Sequence, residues 1–273
     1  VKVLVLGSSG QIGKSICSHL INSGHSIIEW DIKNSEEQDL SNYNAKLEQA
    51  MLDSDFVYYF ASDVGGAKYL EKNQNSYDFI MNNMSIMMNV FESLRITQKP
   101  FIFTSSQMAD IHESTYGTLK LVGEKITSSL GGLYVRLWNV YGEETDEEKF
   151  HVITDFIKMA KRNSVINVRT DGKESRQFLS VDDLYHCLQF LTLNFDNLDK
   201  SKNYHITSFE WISIARIAEI ISSLSGCKVV FSDAKDKTQM NMMNEPDRYI
   251  MNFWRPTVSI EDGIKNLFNK VAE

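Results

Sequence analysis

A phenol and an ammonium stand four residues apart in Tyr116-Gly117-Thr118-Leu119-Lys120. On a helix that spacing puts both groups on one face, beside a common target. Tyrosine titrates near ~10, and bringing it to near neutrality takes ~3 pKa units, roughly 4 kcal/mol. One ammonium at ~4 Å supplies about that much at an effective dielectric of ~20. Such a pair can work as a general acid/base, with the lysine making the phenolate accessible. Alone, Y-x-x-x-K also occurs on ordinary surface helices. It gains meaning from Phe101-Ile102-Phe103-Thr104-Ser105-Ser106, an apolar strand running into hydroxyls. In open parallel α/β sheets ligands sit at the carboxyl ends of strands, so Ser106 is expected to orient a substrate oxygen beside Tyr116.

Two further features bind rather than react. Gly7-Ser8-Ser9-Gly10-Gln11-Ile12-Gly13 lies between an apolar strand pattern and a helical one. Gly7, Gly10 and Gly13 permit a tight turn, and backbone N–H groups at the helix start, where Gln11 and Ile12 lie, can then reach a pyrophosphate. Asp31 ends the second strand pattern, 18 residues after Gly13, close to the ~20 expected for an acid that accepts from the adenosine ribose. Its charge repels a 2′-phosphate, so NAD is expected rather than NADP, with nearby Lys33 softening the preference. Asp39-Leu40 is expected to continue this wall around the adenine.

The elements that must hold these groups follow a simple alternation. Short apolar runs at residues 2–6, 26–31, 56–60, 101–104 and 133–137 read as strands. Segments of helical period at 12–22, 45–52, 77–95 and 116–129 lie between them. This predicts an α/β fold with a doubly wound parallel (Rossmann) sheet, a dinucleotide-binding domain over residues 1–140. Residues 141–273 carry helical patterns near 152–161, 181–193, 214–223 and 260–271, alternating with short strands and without a flexible linker. They are expected to form a smaller α/β substrate-binding region, partly interleaved with the first domain.

The chain has 273 residues, 42% of them hydrophobic, enough for a substantial core without disulfides or metal. Its formal net charge of -8 argues against nucleic acid as a partner, because phosphate backbones need a basic surface. An anionic ligand must be held by local devices such as helix N-termini and single arginines. Cys17, Cys187 and Cys227 show no metal-ligand spacing and are expected to be reduced and mostly buried, as in a cytoplasmic protein. No apolar run approaches the ~20 residues of a membrane span, and residues 1–6 read as a strand rather than a signal peptide. A cytoplasmic protein with no membrane partner is expected.

Together these residues resemble the extended short-chain dehydrogenase/reductase family, the NAD-dependent sugar-nucleotide epimerase/dehydratase group. The G-x-x-G-x-x-G turn is that family's variant. Asn83, in the long helix before the serine strand, also fits. Arg136-Leu137-Trp138-Asn139-Val140-Tyr141-Gly142 looks like its R-x-x-N-V-Y-G segment. Asp171-Gly172, followed by Arg176-Gln177-Phe178-Leu179-Ser180-Val181-Asp182-Asp183, looks like its R-x-F-x-x-V-x-D-D segment. Trp254-Arg255-Pro256-Thr257 and Ser259-Ile260-Glu261-Asp262-Gly263 resemble its C-terminal ending. The resemblance implies Tyr116 as general acid/base, Lys120 as its partner and ribose ligand, and Ser106 as the substrate-orienting hydroxyl. It implies Ala61 and Asn83 beside the cofactor, and Asn139 and Arg176 at the sugar-nucleotide diphosphate. It further implies a homodimer through the helices at 77–95 and 116–129, the first of which presents Met81, Met84, Met87, Met88 and Phe91.

Three departures bear on the reaction. Only nine residues separate Ser106 from Tyr116, where relatives carry a longer loop, so the wall over the sugar must be short or come from another segment. Gln107-Met108 stands where dehydratases of the group carry Asp-Glu, and no cysteine lies near Ser106. Dehydration and cysteine-dependent epimerisation are therefore not expected, and oxidoreduction at one carbinol carbon, C4, is. Ala61-Ser62-Asp63-Val64-Gly65-Gly66-Ala67 and His151-Val152-Ile153 resemble segments of GDP-sugar enzymes, which favours a GDP-sugar and puts His151 at the substrate. The alternative is a non-catalytic NAD(H)-binding sensor on the same fold.

Overall fold

Val3, Leu4, Val5 and Leu6 are all buried, because the strand they form is covered on both faces; such strands read as continuous apolar runs rather than alternating ones. The computed structural model describes residues 1–235 and 244–271. In its first half β1 (Lys2–Leu6), α1 (Gln11–Asn22), β2 (Ser26–Trp30), α2 (Ala45–Leu52) and β3 (Phe56–Tyr59) follow one another. Next come α3 (Ala67–Asn73), α4 (Tyr77–Thr97), β4 (Phe101–Ser106), α5 (Thr115–Ser129) and β5 (Leu133–Leu137). The second half contains β6 (Asn139–Tyr141), α6 (Val152–Asn163), β7 (Val165–Val168), β8 (Ser175–Arg176), β9 (Phe178–Ser180) and α7 (Val181–Leu193). It ends with β10 (Tyr204–Ile206), β11 (Ile212–Ser213), α8 (Ile214–Ser225), β12 (Lys228–Phe231) and α9 (Ile260–Lys270).

The main sheet has the order β10-β5-β4-β3-β1-β2 and every neighbouring pair in it is parallel. The expected doubly wound fold is the one observed. The chain steps outward from β1 in both directions, to β2 on one side and β3 on the other, which opens a crevice beyond their carboxyl ends. Ile16, Cys17 and Leu20 of α1 pack with Leu184 and Leu188 of α7 on one face of the sheet. Leu47 and Met51 of α2 and Val90 and Leu94 of α4 cover the other.

The second half both returns to this sheet and builds its own core. β10 pairs with β5, Tyr204 opposite Val135. Ile153 and Ile157 of α6, Ile217 and Ile221 of α8, and Ile264 and Leu267 of α9 form a separate cluster with Ile166 and Val168 of β7. The last segment is tied down by Asp183, 1% exposed, whose carboxylate accepts from the Thr257 and Val258 N–H groups and the Thr257 hydroxyl. Among the described residues no helix is long and apolar enough to cross a membrane.

Candidate active site

The turn after β1 shows what its glycines are for. Gly7 has φ +86°, the left-handed region, and a Cβ on Gly13 would lie 2.0 Å from the Gly7 carbonyl oxygen. Only hydrogen at both positions lets α1 start this close to the strand. Gly10 caps α1 without a side-chain hydrogen bond, so the first N–H groups of the helix, Gln11 and Ile12 among them, are left for an anion. Gln11 meanwhile donates its carboxamide to the Val140 carbonyl at 3.1 Å. A pyrophosphate fits this cradle.

Asp31 follows β2 with its carboxylate fixed from both sides, by the Ser9 N–H and the Lys33 N–H, each at 2.9 Å. It lines the cleft with Asp39, Leu40 and Ala61. Lys33 also lines the cleft and lies 3.6 Å from Asp146. Asn83 is 4% exposed and lies behind the wall instead of in it. Its carboxamide accepts from the Asp63 N–H at 2.9 Å and donates to the Asp63 and Phe79 carbonyls, so it holds the loop after β3. Asp39 likewise spends its carboxylate on its own turn, accepting from Ser41 N–H and Asn42 Nδ2.

Ser106 ends β4 and Tyr116 opens α5, and the Ser62 and Ser106 hydroxyls act on its phenol. Burial raises the Tyr116 pKa above the ordinary tyrosine value, while those two hydroxyls pull it down. Lys120 Nζ donates to the Thr104 carbonyl at 2.9 Å and lies 5.6 Å from the centroid of the Tyr116 ring. Burial pushes its pKa down to about 7, with Glu124 opposing. Against the attraction between the two charges stands the loss of solvation, which works against both charged forms.

A buried ion cluster fixes this corner. Arg136 of β5 grips both carboxylate oxygens of Glu124 at 2.8 Å and both of Asp110 at 2.7 Å. Ser105 donates to Glu124 as well. The strand carrying Ser106, the short 3-10 turn of Gln107–Asp110 after it and the helix carrying Tyr116 are therefore joined through one guanidinium. Gly117 packs on the same turn, where a Cβ would meet the Met108 carbonyl at 1.9 Å. The short connection to Tyr116 is closed by that turn, and Asn244 donates to the Gln107 carbonyl at 2.9 Å from a distant segment.

One cleft of about 1000 Å³ contains the glycine turn, Asp31, Ser106, Tyr116, Lys120, Asn139, His151 and Arg176. Arg176, 7% exposed, donates to the Ser175 carbonyl at 2.6 Å. Asn139 donates to the Gln177 carbonyl at 3.2 Å. His151 caps the start of α6, and its Nδ1 lies 2.6 Å from Glu144, whose side chain is 6% exposed. Residues 3–207 match the NAD dependent epimerase/dehydratase family.

The chain belongs to this family. It is an enzyme, and NAD is its cofactor; the alternative of a non-catalytic sensor is set aside. It is 24% identical to GDP-mannose 3,5-epimerase 1 of Oryza sativa subsp. indica over 318 residues, covering 100% of this chain and 82% of that protein. With UDP-glucuronic acid decarboxylase 1 of Xenopus tropicalis it shares 20% over 299 residues, 96% and 70% of the two chains. Its fold is similar to that of a UDP-glucose 4-epimerase from Thermotoga maritima, crystallised with UDP-glucose: TM-score 0.80, 18% identity, 98% of both chains. A GDP-6-OMe-4-keto-L-xylo-heptose reductase from C. jejuni gives TM-score 0.80 at 19% identity, covering 98% of this chain and 97% of that one.

In this member of the family the sequence reading overlooked Ser62, which lines the cleft with Tyr116 and helps pull its pKa down. Its signal was available, a hydroxyl just past an apolar strand, as at Ser106. Asp63 was also missed as a hub: it pairs with Lys149 at 2.8 Å and accepts from Tyr69 at 2.7 Å, joining the loop after β3 to the segment before α6. Cys17, Cys187 and Cys227 are all buried, and none lines the cleft. No group of His, Cys, Asp or Glu among the described residues can hold a metal ion.

Proposed function

We propose that this enzyme carries out NAD-dependent oxidoreduction of a sugar nucleotide at one carbinol carbon, C4, with a GDP-sugar favoured. The observation that carries the reading is that Ser106, Tyr116 and Lys120 share one cleft with the glycine turn and Arg176. Bound NAD supplies the hydride acceptor and, when oxidised, a positive charge near the phenol. Ser106 holds the substrate oxygen, and Tyr116 takes its proton as the carbon gives up hydride. Returning the hydride to the other face of the ketone carbon, and the proton to its oxygen, inverts the centre; releasing the ketone makes the enzyme a dehydrogenase, and running backward makes it a reductase. Arg176 binds the diphosphate as a planar fork, with Asn139 beside it; Arg176 and His151 are the contribution of residues 141–273 to the substrate side.

The GDP preference rests on the segments at residues 61–67 and 151–153, and on relatives named for GDP-mannose and a GDP-heptose. Reduced, buried thiols suit a cytoplasmic setting. A homodimer would cover the exposed methionines of α4. A second reading has its own observation. Glu144 at 2.6 Å from His151 Nδ1 can orient the imidazole as a base, and a base beside a C4 ketone would remove a carbon-bound proton at C3 or C5.

Tyr116→Phe tests the main reading. Turnover should fall by about 10²–10⁴-fold, the contribution of a positioned acid/base, with NAD binding nearly intact by fluorescence titration. A variant within a few-fold of the parent would remove Tyr116 as the proton carrier.

A further inference from the structure

Six buried side chains among the described residues have a polar atom without a hydrogen-bond partner. His25, Trp30, Tyr59, Thr127 and Gln177 do not line the cleft, whereas Gln107 does. Gln107 is 3% exposed, and its Oε1 is enclosed without a partner. Its backbone, in contrast, is held firmly. Asn244 donates to its carbonyl at 2.9 Å, and the next N–H, of Met108, donates to Ser106 Oγ at 3.2 Å. Three residues on, Asp110 is gripped by Arg136. A carboxamide therefore lies one residue from Ser106, in the cleft that Tyr116 also lines, and its oxygen has no partner in the protein.

We infer that Gln107 is a specificity-determining residue that recognises a hydroxyl next to the reacting carbon of the sugar; this rests on the oxidoreduction at C4 proposed above. A buried amide oxygen with no partner is unfavourable. Since no bond holds it, the side chain can turn that oxygen into the cleft at little cost. A carboxamide presents an acceptor and a donor a short distance apart, and a hydroxyl is both donor and acceptor, so either orientation of the amide meets it. Being neutral, Gln107 neither takes nor gives a proton. It selects and positions the sugar, and the proton remains with Tyr116. In a pyranose C4 is bonded to C5, which bears the ring oxygen, and to C3, which bears a hydroxyl. The group read is accordingly the C3 hydroxyl.

The test uses the purified enzyme with NAD, GDP-mannose and UDP-glucose, each beside its 3-deoxy analogue, with the product altered at C4, ketone or inverted alcohol, followed by NMR. The parent should reject the deoxy analogue by about tenfold or more in kcat/KM, as sites built to bond a hydroxyl do. Gln107→Met should bring the two substrates to within about twofold, mainly through a higher KM for the hydroxylated one. Gln107→Glu, which keeps an acceptor, should retain the discrimination. NAD affinity and melting temperature of Gln107→Met should not fall, since no intramolecular bond is lost. Discrimination that persists in Gln107→Met, or is absent from the parent, overturns the assignment of Gln107. If turnover at C4 is lost in Tyr116→Phe while that discrimination persists in Gln107→Met, the assignment fails alone. If the parent alters C4 of neither nucleotide sugar, the C4 reading fails and the role of Gln107 falls with it.

Discussion

Burial holds the Lys120 ammonium at a pKa of about 7, well below the ordinary lysine value of 10.5. In the unfolded chain it titrates normally, so between these values the unfolded state binds more protons and stability rises with pH. Below about 7 both states are charged and the folded protein bears the whole desolvation cost. Lys120→Met should therefore be more stable than the parent at pH 6 without cofactor, and the gap should close as the pH rises from about 7 toward 10, followed by urea unfolding. A gap independent of pH would mean that the ammonium is not held in a dehydrated site. The same variant should lose turnover. The glycine turn, Asp31, Ser106, Tyr116 and Lys120 were legible in the sequence because each is a short local spacing fixed by a turn, a strand end or a helix face. Ser62 beside Tyr116 and Asn83 beneath Asp63 depend on which strands become neighbours, and no local pattern states that.

The elements around the site owe their arrangement to charge as much as to packing. Arg136 is 7% exposed and Glu124 3%, and removing one partner of such a pair leaves the other buried and uncompensated. Arg136→Met should cost about 3–5 kcal/mol in urea unfolding, and Arg136→Met with Glu124→Leu should recover much of that loss, as an apolar pair of similar volume does. A single variant within about 1 kcal/mol of the parent would mean that the cluster contributes as little as a surface pair. Arg136 opens the segment that looks like R-x-x-N-V-Y-G, and its place in the structure is to join β4, β5 and α5. The long elements were readable from periodicity. α3, seven residues long, and β10, three residues long, were not, because so few residues complete no period. β10 joins the main sheet only because β5 offers an open edge far away in sequence.

At the scale of the molecule, α4 divides its apolar residues between two destinations. Met87 and Phe91 are buried against the protein's own sheet, while Met81 and Met84 are 39% exposed and Met88 68%. From periodicity alone all five share one apolar face, because periodicity reports apolarity and not what covers it. If the exposed three meet a second copy of the chain, Met88→Asp should convert a dimer to a monomer in sedimentation velocity, and a monomeric parent would dismiss the interface. The central claim, hydride exchange confined to C4, is tested most directly by running the reaction in deuterium oxide with a panel of nucleotide sugars and examining the products by NMR. The account predicts an altered C4, as ketone, alcohol or inverted centre, and no solvent deuterium on carbon at C3 or C5. Deuterium at either position that disappears in His151→Asn would contradict it and make the Glu144–His151 pair the base of a different reaction.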